Sequence, residues 1–160
     1  MTELGTVLDA YLTLVDCHKV TAELLRKSSN GPTFHGTVFM GQPPDETKRL
    51  LTQAKTELDD WAIVWLVSTF EHILFNHDRS PLRSKPLRKG ARGLNAAIKP
   101  FEQLIEHRTY EDVKGLGDYR HWVAHGKRWG EKPPNADPVS AHHQLVGFLK
   151  QAGLEGRAHY

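Results

Sequence analysis

Apolar residues recur at steps of three and four along most of this chain, and the segments between them are rich in proline, glycine and charge. From Glu3 to about Lys27, Leu4, Val7, Leu8, Tyr11, Leu12, Val15, Ala22 and Leu25 keep the 3.6-residue period of an amphipathic helix. Ser28-Ser29-Asn30-Gly31-Pro32 stops it with turn chemistry. Thr33 to Pro44, with four Gly and Pro residues, reads as a packed loop. Asp45 then caps a second long helix reaching about Asn76, apolar on most sides from Trp61 onward. Gly93 to Arg108 resumes helical spacing, but Pro100 would remove a backbone bond, so the helix either starts there or kinks there. Thr109 is the expected N-cap of the next helix, with Glu111 and Asp112 in its first turn and Gly126 as its stop. Within it, Gly115 and Gly117 bend the helix or admit a close neighbour. Asp137-Pro138 opens a last helix that ends at Gly153. The pattern predicts no strand and no internal repeat, and gives an all-α bundle of about five helices.

Composition changes this picture little. A chain of 160 residues is long enough for a core without metal or disulfide staples. Its formal net charge of +2 permits an anionic partner without requiring one. Cys17 is the only cysteine and stands in an apolar helical stretch, which predicts a small buried hydrophobe. No apolar run approaches the roughly 20 residues of a membrane span. Glu3 and Asp9 stand where a secretory leader would be basic, so a reducing, cytoplasmic setting is expected.

Candidate chemistry concentrates in Tyr119-Arg120-His121-Trp122-Val123-Ala124-His125-Gly126. Arg120 offers a bidentate grip on a phosphate and on charge developing in a transition state. An imidazole can take the proton of a ribose 2′-hydroxyl or give one to a leaving oxygen. No carboxylate cluster of the magnesium-nuclease kind stands nearby, so cleavage of RNA without a metal, leaving a 2′,3′-cyclic phosphate or 3′-phosphate, is the expected chemistry. His121 and His125 share a helix face, whereas Arg120 and His125 lie about 140° apart on an ideal helix. Convergence on one ligand then needs a frayed helix end or a second chain. Glu71, set in an apolar run, must face a cation, a polar cleft or water.

The stretch resembles the Arg-x4-His motif of HEPN-domain ribonucleases, including a polar residue after the Arg and an Ala-His-Gly ending. A long first helix, a second helix with an aromatic-Glu pair (Phe70-Glu71) and a short final helix are similar to HEPN bundles over most of the chain. The resemblance implies one HEPN-like domain over residues 1–160, with irregular loops near 29–44, 78–92 and 127–137. It implies a metal-independent, cofactor-free endoribonuclease of toxin, antiphage or RNA-processing type. Arg120 would hold the phosphate, His125 would be general acid or base, and His121 would assist. It also implies a homodimer lining one cleft with two motifs, and an antitoxin or regulatory partner. Members paired with a nucleotidyltransferase carry a Tyr two residues after the His; here that position is Lys127. Some HEPN-like domains are non-catalytic binding modules, the alternative in which Arg120 pairs with Glu71 and the histidines cap carbonyls.

Other features bear on the same site. Arg83 and Arg88 belong to a basic loop that is either a phosphate grip or a solvated linker. Lys127, Arg128 and Trp129 follow the motif and are candidates for RNA contact, Trp129 by base stacking. Trp61 and Trp65 are expected in the core. His121 and His125 have the spacing of the zinc-protease helix, but Trp122 stands where the general-base Glu must be. No metal site is therefore expected, although His142 and His143 are potential further ligands.

Overall fold

A computed structural model describes residues 2–27, 34–77, 80–84, 93–126 and 136–154, without the side chains of residues 83 and 84. Its helices are α1 (Glu3–Lys27), α2 (Pro44–Asn76), α3 (Pro81–Ser84), α4 (Leu94–Ile98), α5 (His107–Ala124) and α6 (Pro138–Gln151), with a 3-10 turn at Lys99–Phe101. The described residues contain no strand, so the chain is all-α. No helix among them is long and apolar enough to cross a membrane.

The chain divides into two compact units, residues 9–59 in one, and residues 1–8 with 60–160 in the other. In the smaller unit, His18 on α1 donates from Nε2 to the Leu51 carbonyl of α2 at 3.0 Å. Tyr11 donates to Asp59 Oδ1 at 2.7 Å, and Lys55 grips both oxygens of that carboxylate at 2.6 and 2.7 Å. Phe34 is buried, while Val38 and Met40 of the same loop stay exposed.

In the larger unit, Ile63, Leu66, Val67, Phe70, Ile73 and Leu74 form one buried stripe of α2. Phe148 of α6 meets Phe70 edge-on at 5.2 Å and Phe101 at 5.6 Å between ring centroids. Val113, Leu116, Tyr119 and Val123 carry the buried face of α5 into the same core. Gly117 lets α4 approach: a Cβ there would stand 3.1 Å from Leu94 Cδ2 and 3.2 Å from Leu94 Cβ.

Asp137 caps α6 by accepting from the Ser140 N–H at 2.8 Å, with Pro138 in the first turn, as the sequence signals. Four expectations are corrected. The segment 93–108 does break at Pro100, but no helix starts or continues through it: α4 ends at Ile98, a 3-10 turn covers Lys99–Phe101, and α5 starts at His107, ahead of Thr109. The cap at that start comes from another helix. Gln151 at the end of α6 accepts the Glu106 N–H at 2.8 Å and donates to Thr109 Oγ1 at 3.2 Å. Cys17 is exposed because it lies about 120° round α1 from the stripe carrying the buried Leu4, Tyr11 and Leu25. Trp61 and Trp65 are 51% and 46% exposed, on the side of α2 opposite its buried stripe.

Candidate functional site

The site is built on the last two turns of α5 and one flank of α2. Tyr119, only 4% exposed, donates its hydroxyl to Asp60 Oδ1 at 2.5 Å, and Asp60 is equally buried. The next residue, Arg120, lies 3.6 Å from Glu71 Oε2 through its Nη2. Asp60 and Glu71 are eleven residues apart, which puts them on one side of α2, within about 20° and three turns apart. Adjacent residues of α5 therefore reach two acids on one side of α2, and these contacts fix which way Arg120 leaves the helix.

The Glu71–Arg120 contact is loose. At 3.6 Å it exceeds hydrogen-bond length, and the buried Glu71 Oε1 and Arg120 Nε have no hydrogen-bond partner among the described residues. Burial pushes the Glu71 carboxyl above the usual carboxylate range, and the Arg120 charge only partly opposes that shift. Desolvation thus outweighs the attraction. The Arg120 side chain as a whole is 32% exposed, although its Nε is buried.

Past Arg120 the helix does not fray at His125. α5 ends at Ala124 and His125 is its C-cap, with φ −90° and ψ 20°, yet the His125 N–H still donates to the His121 carbonyl at 3.1 Å, and Gly126 follows with a φ of 70° that suits a glycine. Both imidazoles are exposed, with ring centroids 4.2 Å apart and planes inclined by 60°. Neither caps a backbone carbonyl through its ring among the described residues. Trp122 packs partly buried against the core and 5.8 Å from the Tyr119 ring.

The structure brings Glu71 to Arg120, and His121 to His125. No contact joins Arg120 to His125 among the described residues, consistent with the 140° that separates them on the helix. Arg83, as a side chain, and Arg88, Lys127, Arg128 and Trp129 lie outside the described residues. His142 and His143 form their own ring contact at 5.8 Å, and the described residues hold no group of three or more His, Cys, Asp or Glu able to share a metal ion. The sequence carries one signal for the Tyr119–Asp60 anchor, an acid beside the apolar run of α2, the same signal that marks Glu71. Compared with protein-family models, with curated proteins and with solved structures, the chain finds no match.

Proposed function

We infer that this chain is a metal-independent endoribonuclease using Arg120, His125 and His121, as its motif's resemblance to HEPN ribonucleases implies. The observation that carries the reading is the end of α5, where two exposed imidazoles with uncommitted ring nitrogens follow directly on an anchored, loosely paired arginine. In the proposed reaction His125 takes the proton of the ribose 2′-hydroxyl as its oxygen attacks phosphorus. The P–O5′ bond breaks, protonated His121 gives its proton to the leaving O5′, and a 2′,3′-cyclic phosphate remains. Arg120 balances charge on the phosphorane oxygens. Because Arg120 and His125 diverge on one helix, a homodimer that faces two motifs across one cleft completes the reading. A cytoplasmic toxin, antiphage or RNA-processing role, with an antitoxin or regulatory protein as partner, belongs to the same proposal.

The second reading is a non-catalytic HEPN-like interaction module, favoured by the Glu71–Arg120 contact itself. The two part on one experiment. End-labelled single-stranded RNA is incubated with the protein in EDTA, alongside Arg120→Ala. The nuclease reading expects cleavage by the parent and a loss of about 100-fold or more in the variant. Intact RNA in both lanes leaves the interaction module.

A further inference from the structure

We propose that His121 and His125 form a two-imidazole clamp for a borderline divalent transition-metal ion such as zinc, and that filling the clamp silences the site. The clamp stands on geometry alone; the silencing rests on the ribonuclease reading above.

Helical register is retained up to the second ligand. The 3.1 Å bond from the His125 N–H to the His121 carbonyl keeps the two side chains on one face, one turn apart. An imidazole binds a metal ion in its ring plane, along the nitrogen lone pair. Planes inclined by 60° are compatible with in-plane approach of one ion to both rings. Parallel stacked rings would deny it. At the usual zinc–nitrogen distance a tetrahedral ion wants its two nitrogens about 3.3 Å apart, and the two rings, with centroids 4.2 Å apart, must swing apart at their exposed side-chain torsions to present one nitrogen each.

The lone pairs are also available. Neither ring has a hydrogen-bond partner among the described residues, and both face solvent. The pair sits at the C-terminal end of α5, where the helix dipole is negative and favours a cation. With two nitrogen donors and no carboxylate, the clamp selects zinc, copper or nickel over magnesium and calcium, which require oxygen. No third ligand stands among the described residues, so the ion keeps its waters and exchanges readily, as a regulator does and a structural ion does not. His142 and His143 provide the contrast. As consecutive residues they diverge by about 100°, and their centroids are 5.8 Å apart.

A metal ion and a proton compete for the same imidazole lone pair. A zinc-filled clamp therefore removes the proton acceptor from the proposed cleavage. The test titrates zinc chloride into the full chain by calorimetry, in parallel with His121→Gln, His125→Gln and the double variant His142→Gln/His143→Gln. One ion per chain is expected, weakened about tenfold or more and to a similar extent by either of the first two changes, and unaltered by the third. Zinc binding that survives both single changes, its absence in the parent, or equal binding of magnesium overturns the clamp. RNA cleavage is followed in the same samples, where zinc should stop it and excess EDTA restore it. Zinc bound at the pair with cleavage undiminished overturns the silencing. Zinc bound there with RNA uncut even in EDTA supports the clamp and defeats the ribonuclease reading, while EDTA-resistant cleavage without zinc binding does the opposite.

Discussion

Replacing Tyr119 with Phe removes one oxygen from the contact that anchors the motif helix and leaves the ring in place. Both Tyr119 and Asp60 are 4% exposed, and the hydroxyl donates to Asp60 Oδ1 at 2.5 Å. A hydrogen bond to a charged group contributes about 1.5–3 kcal/mol, and losing it leaves a buried acceptor short of a donor. Asp60 has a further interaction besides this one, which brings the expected loss to about 2 kcal/mol, the middle of that range. For a chain of this size that lowers the melting temperature by about 4–8 °C. Thermal and urea unfolding followed by circular dichroism measure it, with an unchanged denaturant slope identifying a stability effect. A double-mutant cycle with Asp60→Asn should return a coupling of about 1–2 kcal/mol. A Tyr119→Phe protein within about 0.5 kcal/mol of the parent, or strictly additive changes in the cycle, would refute the anchor.

Glu71→Gln tests whether the Arg120 pair or its burial dominates. The Glu71 carboxyl is raised above its ordinary value of 4.5 by burial, so the folded state holds that proton more tightly than the unfolded chain. Its contribution to stability is present below the unfolded value and is lost as pH rises through the raised folded value. Glu71→Gln should match the parent in acid and exceed its stability at neutral pH; a less stable variant at neutral pH would show that the ion pair wins. Phe148→Ala empties a fully buried site between Phe70 and Phe101, and should cost about 3–5 kcal/mol in chemical unfolding, a loss under about 1 kcal/mol being incompatible with this core. Gly115→Ala and Gly117→Ala should part company. A Cβ at Gly115 meets nothing within 4 Å, whereas one at Gly117 meets Leu94 at 3.1 Å. The first should gain up to about 1 kcal/mol of helix propensity and the second less, because Leu94 must move; equal gains would contradict the close approach of α4 to α5.

Much of this architecture can be read from residue types. The period of α1 and α2, the Asp137-Pro138 start of α6 and the Gly126 stop of α5 are local signals, and each has its counterpart in the structure. The misread places depend on tertiary partners. Gln151 caps α5 from a helix 45 residues later in the chain, which no spacing rule near Thr109 contains. Periodicity also identifies apolar positions without saying which stripe finds a neighbour, so it places Trp61, Trp65 and Cys17 in a core from which their angular positions on the helix exclude them. At the site, the sequence offered Glu71 as a partner for Arg120, and the geometry joins them. It could not show that the contact would exceed hydrogen-bond length.

The chemical ends left on RNA decide whether this chain is the proposed nuclease. Single-stranded RNA treated with the protein in EDTA should yield fragments with 2′,3′-cyclic phosphate or 3′-phosphate termini. His125→Ala, folded as judged by circular dichroism, should lower the rate by about 100-fold or more. Cleavage that proceeds equally well in the variant, 3′-hydroxyl products, or RNA left intact by the parent would contradict the nuclease reading.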